Sequence, residues 1–200
     1  GVLKVLEEEG IPVHYIAGTS MGAIVGSLYA CGYAPSEIRD FFRNIDYDEA
    51  FNDMTKDKPA AFSRGSLNNP ALFRFPEEDL VGVNSGRNAQ AMIRGYTLFQ
   101  DYASDSDFEA LPRRLRIVAA DLLTGDKVVF KQGPIDRAVR ASASLPYIFK
   151  PLAYKDTYLI DGGAVELVPL DEAKAWQPDL VLGVNVGREL PISKERATSF

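Results

Sequence analysis

The stretch Gly18-Thr19-Ser20-Met21-Gly22 separates two regular segments, and it decides the fold. Residues 12–17 before it are mostly apolar and predict a short strand, whereas residues 23–31 after it have helical spacing. The five residues match the G-x-S-x-G nucleophile elbow, which requires a strand before it and a helix after it. Because the flanking glycines allow a sharp turn, Ser20 is the candidate nucleophile.

The helix after the elbow gives Ser20 chemical support. Its start at Met21 and Gly22 supplies backbone N–H groups and a positive dipole end, which would stabilise a tetrahedral oxyanion. Small residues recur every four positions along this helix, at Gly22, Gly26 and Ala30. This spacing predicts a helix face that packs closely on a sheet, with Gly18 and Gly22 supporting the elbow.

Strand and helix patterns alternate along the rest of the chain. The predicted strands are residues 115–120, 127–131, 158–160 and 180–186, and the predicted helices are residues 1–9, 35–45, 135–143 and 170–176. The first two of these strands form a hairpin across the turn at residues 123–126. Alternation of this kind predicts a three-layer α/β/α fold with a largely parallel central sheet.

The organisation indicates a single domain over residues 1–200. Within it, residues 46–111 have a looser pattern and are predicted to be an irregular insertion or lid, with one helix at residues 89–99. The aromatic segment Phe73-Arg74-Phe75-Pro76 in this region would either touch a lipid surface or, more often for such residues, fill a local core.

Composition excludes several classes of protein. The net charge of -6 and the lack of a basic run exclude a nucleic-acid partner. No apolar run reaches the roughly 18 residues of a membrane span. One cysteine, Cys31, cannot form an internal disulfide and is predicted to be a packing residue. Asp101, Asp105 and Asp107 lack the glycine and terminal glutamate of a calcium loop and are predicted to be a solvated acidic loop.

A nucleophilic serine needs a base, and His14 is the only histidine. It precedes Ser20 by six residues, so at ~3.3 Å per residue a straight strand would place it about 20 Å away. Asp161 is the best candidate, because it follows the strand at residues 158–160 and precedes Gly162-Gly163, which let a backbone pass closely. Asp121 is the weaker alternative, since the residues after it lead into the hairpin.

The Gly18–Gly22 elbow together with Asp161-Gly162-Gly163 resembles the bacterial patatin-like phospholipases over nearly the whole chain. The resemblance implies a lipid acyl hydrolase in which Ser20 attacks the ester and Asp161 is the general base, with Gly162 and Gly163 supporting the dyad. It implies no metal and no cofactor, a phospholipid or lysophospholipid substrate and peripheral contact with a membrane surface. Oligomeric state and location, in the bacterial cytoplasm or outside the cell, stay open.

The chain departs from the family pattern in two places. The family's glycine-rich loop precedes a helix that residues 1–9 resemble, so the domain is expected to be truncated at its N-terminus. Residues 164–169 lack the asparagine that relatives often carry before the proline. The alternatives are a non-catalytic lipid-binding module on the same fold, and acyl transfer to a carrier, which usually relies on histidine.

Overall fold

A computed structural model describes residues 1–51 and 82–186. Its helices are α1 (Val2–Glu8), α2 (Met21–Ala30), α3 (Pro35–Asn44), α4 (Tyr47–Phe51), α5 (Arg87–Ala103), α6 (Ile135–Ser142) and α7 (Leu170–Lys174). Its strands are β1 (Tyr15–Thr19), β2 (Gly82–Asn84), β3 (Arg114–Asp121), β4 (Lys127–Phe130), β5 (Tyr147–Phe149), β6 (Leu152–Tyr154) and β7 (Thr157–Asp161). Short 3-10 turns occupy Phe108–Ala110 and Gly162–Ala164.

The first strand is shifted from the predicted residues 12–17. It begins at Tyr15, where the amide of Arg114 donates to the carbonyl of His14 at 3.0 Å and opens the pairing with β3. Pro12 has no N–H to give to a ladder, which is a physical reason for the later start. The strand then runs to Thr19 and includes the first two residues of the elbow, and α2 begins at Met21 directly after Ser20, so a strand precedes the nucleophile candidate and a helix follows it, as predicted.

β3 is the centre of the main sheet. On one side it pairs with β4, and on the other it pairs first with β1 through Val118 and then with β7 from Ala119 onward. β6 pairs with the outer edge of β7. The interior of β3 is fully buried, as Leu115, Ile117 and Ala119 show no exposure. Such a six-residue buried run within one strand needs cover on both faces.

Helices cover both faces, as the three-layer prediction requires. Ile16 of β1 faces α2, since a Cβ added to Gly26 would lie 2.8 Å from Ile16 Cγ2. The preceding residue, Tyr15, points to the opposite face and stacks on Trp176, just after α7. The small-residue face of α2 is therefore confirmed at Gly26, whereas a Cβ on Gly22 would meet no atom within 4 Å.

The expectation of a largely parallel sheet needs correction within the described residues. β1 and β3 are parallel, but β3 with β4, β3 with β7, and β6 with β7 are antiparallel. Short turns at residues 122–126 and 155–156 account for the β3–β4 and β6–β7 pairs, because a connection of a few residues joins only antiparallel strands. The α/β class holds, with a mixed sheet and a separate parallel pair of β2 and β5.

Two other sequence expectations change. Residues 180–186 are apolar but form no strand, and Leu180 and Val186 are largely exposed, because apolar composition alone supplies no neighbouring strand to pair with. Within residues 46–111, the described part is more regular than predicted, since α5 is 17 residues long and packs against α6. The segment Phe73–Pro76 lies outside the described residues.

Candidate active site

Ser20 occupies the corner between β1 and α2. Its backbone has φ 53° and ψ −118°, a region that L-residues rarely adopt. Such a conformation costs on the order of 1–3 kcal/mol and persists only where the surrounding structure holds it. The sequence provides this setting through Gly18, where a Cβ would lie 2.5 Å from the carbonyl oxygen of Gly22.

Asp161 reaches Ser20 because β1 and β7 end at the same place. β1 runs parallel to β3 and stops at Thr19, opposite Val118, whereas β7 runs the other way and stops at Asp161, opposite Ala119. Both strands lie on the same side of β3, so their carboxyl ends meet. The Ser20 hydroxyl donates to Asp161 Oδ2 at 2.5 Å.

The carboxylate of Asp161 is held as well as buried. Asp161 is only 4% exposed, and its Oδ1 accepts a hydrogen bond from the Gly163 amide at 2.7 Å. Gly162 packs against β3, because a Cβ there would collide with the carbonyl oxygen of Val118. A Cβ on Gly163 would lie 2.9 Å from Asp161 Oδ1 itself. Both glycines thus set the position of the carboxylate.

The C-terminal end of α6 contacts both partners, and the sequence pattern predicted no such role for these residues. The Ser20 amide donates to Ser142 Oγ at 2.8 Å, and the Asp161 amide donates to the carbonyl of Ser144 at 3.0 Å. Ser144 Oγ donates to the carbonyl of Arg140 at 2.7 Å. Ser142 lies within the helix predicted at residues 135–143 and Ser144 lies just after it, but their targets are 122 and 17 residues away, which local pattern does not reveal.

The loop after Asp161 is tied to the sheet by charged and polar contacts. Thr19 Oγ1 donates to the carbonyl of Glu166 at 2.9 Å. Lys127 Nζ lies 2.9 Å from a carboxylate oxygen of Glu166 and 2.9 Å from one of Glu172. Hydrogen bonding to these carboxylates raises the pKa of Lys127. Two of these bonds, from Thr19 and Lys127 to Glu166, fall within residues 164–169.

The other candidate residues do not reach Ser20. His14 is exposed just before β1, at the end of the strand opposite Ser20. Asp121 Oδ1 accepts from the Leu123 and Thr124 amides and from Thr157 Oγ1, so it caps the hairpin turn. The Thr157 bond, opposed by some desolvation, lowers the pKa of Asp121.

The remaining sequence candidates have structural positions. The predicted solvated acidic loop is wrong for Asp101, which is buried in α5 and whose Oδ1 accepts the Ile135 amide at the start of α6. Asp105 and Asp107 are exposed, and Asp107 Oδ1 accepts the Glu109 amide. Burial raises the pKa of the Cys31 thiol to about 12, which is consistent with packing and not with nucleophilic chemistry. Across residues 1–51 and 82–186, no helix combines the length and apolarity needed to cross a bilayer.

The first helical turn of α2 is open to a ligand. The N–H groups of Met21 and Gly22 have no intrahelical acceptor, and both residues are exposed. The Ala23 amide instead donates to the Ser20 carbonyl at 2.9 Å. Since the Ser20 amide is bonded to Ser142, donors for an oxyanion at Ser20 would come from Met21 and Gly22.

Comparisons with known proteins identify a family and several relatives of the chain. A family model described as patatin-like phospholipase matches residues 1–174. An uncharacterized NTE family protein of Mycobacterium tuberculosis is 28% identical over 188 residues, covering 93% of this chain and 44% of that protein. Lysophospholipase nte1 of Aspergillus fumigatus is 28% identical over 187 residues, covering 94% of this chain and 11% of that protein. The chain therefore spans less than half the length of these two relatives.

Two further matches extend the comparison. Protein YqhO of Bacillus subtilis, which is uncharacterized, is 27% identical over 217 aligned positions, covering 98% of this chain and 68% of that protein. The crystal structure of VipD from Legionella pneumophila superposes with a TM-score of 0.50 at 15% identity, covering 82% of this chain and 43% of that one. At this identity the second match concerns the fold alone.

Proposed function

The chain belongs to the patatin-like phospholipase family, and from that premise we propose that it is a lipid acyl hydrolase with Ser20 as nucleophile and Asp161 as general base. The observation that carries the proposal is the 2.5 Å hydrogen bond from Ser20 Oγ to Asp161 Oδ2. At this distance the proton of the Ser20 hydroxyl can pass directly to the Asp161 carboxylate as the oxygen attacks an ester.

The proposed reaction has two stages. Ser20 Oγ forms a bond to the ester carbonyl carbon while its proton moves to Asp161, and the charge on the carbonyl oxygen is stabilised by the N–H groups of Met21 and Gly22. The ester C–O bond then breaks, and Asp161 returns the proton to the leaving alcohol. Water then attacks the acyl-serine carbon and gives a proton to Asp161. The bond from that carbon to Ser20 Oγ breaks, the fatty acid leaves, and Asp161 returns the proton to Ser20 Oγ, which restores both residues.

The substrate class we propose is a phospholipid or lysophospholipid. The family description and the lysophospholipase nte1 relative support an ester of a fatty acid. Exposed apolar side chains lie within a few residues of the dyad and of the end of α6, and would meet an acyl chain or a lipid surface: Met21, Leu145, Ile148, Val165 and Leu167. Peripheral contact with a membrane surface follows from such a substrate.

The alternative is a module that binds lipid without turnover. In that case the Ser20–Asp161 bond would be a structural remnant and the exposed apolar residues would hold the ligand. The two functions differ in product release, because only the enzyme frees a fatty acid. Acyl transfer to a carrier is less well supported, since the one histidine lies at the far end of β1 from Ser20.

The test is fatty-acid release from lysophosphatidylcholine. We expect the protein, in its full-length natural form, to release fatty acid, and the Ser20→Ala variant to release none above background. A matched control is Ser36→Ala, which changes an exposed serine in the first turn of α3 and should keep the wild-type rate. Lipid binding by the wild type without any release would support the binding module instead.

A further inference from the structure

We propose that Ser142 is a positioning residue, whose hydroxyl is inserted into the last rung of the β1–β3 ladder and thereby sets the angle at which Ser20 leaves the sheet. This inference rests on the proposed function for its kinetic consequence, but its structural content stands separately. Ser142 is the last residue of α6 and has no exposure to solvent.

The ladder itself shows where the rung is missing. The Arg114 amide donates to the His14 carbonyl, so alternate residues of β3 from Arg114 onward direct both backbone groups toward β1. Continued regularly, this pattern joins the Ser20 amide directly to the carbonyl of Val118. Instead the Ser20 amide donates to Ser142 Oγ at 2.8 Å, and Ser142 Oγ donates to the Val118 carbonyl at 2.5 Å.

The inserted hydroxyl satisfies both groups of the rung at once. A serine hydroxyl has one hydrogen to donate and lone pairs to accept with, so it completes the rung without leaving a buried group unpaired. It also keeps the Ser20 amide one atom farther from β3 than a direct bond would. That separation is what the turn at Ser20 requires, because a direct rung would extend β1 by one residue.

The same segment fixes the other partner. Two residues after Ser142, the carbonyl of Ser144 accepts the Asp161 amide at 3.0 Å. The end of α6 therefore contacts both the nucleophile and the base and fixes their relative positions. The strands that carry them, β1 and β7, pair with β3 and not with each other. Of its two contacts, the Ser142 side chain is the one that substitution can remove.

Removal of the hydroxyl is expected to affect the rate more than the affinity. Without it, the Ser20 amide and the Val118 carbonyl would close on each other, and Ser20 Oγ would move away from Asp161. Since a misplacement of about 1 Å costs up to about 100-fold in rate, Ser142→Ala should lower kcat by roughly 10- to 100-fold and change KM less than about twofold. Wild-type kcat in Ser142→Ala would overturn the inference.

A matched control separates positioning from loss of a buried hydroxyl. Ser27 is also fully buried, in α2, and its Oγ donates to the Ile24 carbonyl at 3.0 Å, away from the dyad. Ser27→Ala should lower the melting temperature about as much as Ser142→Ala does, while keeping kcat. Equal losses of kcat in both variants would contradict the proposal.

Two further measurements keep the inference decisive. Ser142→Thr keeps the hydroxyl, so it should fold and retain kcat within a few-fold even if Ser142→Ala does not fold. A loss of kcat in Ser142→Thr as large as that in Ser142→Ala would count against the inference. Crystal structures of wild type and Ser142→Ala should show the Ser20 amide bonded directly to Val118 only in the variant. This comparison does not need activity: if the wild type is inactive but the bond changes as described, the proposed function fails and the inference stands. A Ser142→Ala structure in which the Ser20 amide does not bond to Val118 refutes the inference.

Discussion

Thr19 and Asp161 end two strands that lie head to head along one edge of β3, opposite the adjacent residues Val118 and Ala119. The residue after Thr19 is Ser20, so the chain topology brings together a hydroxyl and a carboxylate 141 positions apart, and the two form a hydrogen bond. No imidazole is needed to bridge them. The dyad is therefore a consequence of a mixed sheet, since β7 must be antiparallel for its carboxyl end to meet that of β1.

Replacing Asp161 by asparagine should remove the base and keep the fold. The amide has nearly the same size and its oxygen still accepts the Gly163 amide, but it cannot take the proton of Ser20. We expect kcat on a water-soluble p-nitrophenyl ester to fall by about 10³-fold or more. Asp121→Asn, at the hairpin turn, is the control and should keep kcat within about threefold. Comparable kcat losses in the two variants would argue against the assignment.

Gly162→Ala should destabilise the protein and reduce activity together. The new Cβ would collide with the carbonyl of Val118. This carbonyl is part of the β3 backbone, so it cannot move aside as the end of a flexible side chain could. We expect a loss of about 1–3 kcal/mol in the free energy of unfolding, measured with urea. At Gly95, inside α5, a Cβ would meet nothing within 4 Å, so Gly95→Ala should instead gain about 0.5–1 kcal/mol. A neutral Gly162→Ala would contradict the close approach.

Asp121 should contribute stability that depends on pH. Its pKa is lowered in the folded state, chiefly by the hydrogen bond from Thr157, so the folded chain holds its proton less tightly than the unfolded chain does. The contribution is therefore complete above the unfolded pKa and is lost as the pH falls through the folded one. The unfolding free energy of Asp121→Ala, measured with urea from pH 7 to pH 3, should differ from wild type most at pH 7 and converge in acid. A gap that widens in acid would show the opposite sign.

Lys127→Met should loosen the loop that follows Asp161. The ammonium group bonds to Glu166 and Glu172, and the Lys127 side chain is 33% exposed, so solvent screening limits the contribution of these contacts to about 1 kcal/mol. Urea unfolding at low and at high salt should show this difference and its decrease with salt. Lys4→Met removes a more exposed pair with Glu8 in α1 and should cost no more than about 0.5 kcal/mol. Equal effects would mean that the Lys127 contacts add nothing beyond a surface pair.

The local parts of the fold could be predicted from the sequence because their causes are local. The elbow at Ser20 depends on flanking glycines and on a strand and helix in direct succession, and the structure has both. The hairpin at residues 115–131 depends on a short turn between apolar runs, and β3 and β4 pair there. Asp161 was a candidate because it ends a strand before two glycines, and the structure brings it to Ser20. Its catalytic role stays a prediction.

The other features depend on contacts between distant residues. Strand direction in the sheet follows from which edges meet, and apolar composition at residues 180–186 does not supply a neighbouring strand. The position of Ser142 at the end of a predicted helix reveals no contact, because its hydroxyl bonds to backbone groups of two other elements, β3 and the Ser20 corner. Sequence pattern reports the periodicity of one segment, so it does not reveal a side chain inserted between two others.

The central claim, that Ser20 is a nucleophile activated by Asp161, is tested most directly by a fluorophosphonate probe followed by peptide mass spectrometry. The full-length natural protein should carry one phosphonate adduct, located on the peptide that contains Ser20, and Asp161→Asn should acquire it at least about 100-fold more slowly. An unmodified Ser20 in a folded wild-type protein, or equal labelling rates in the two proteins, would contradict the account.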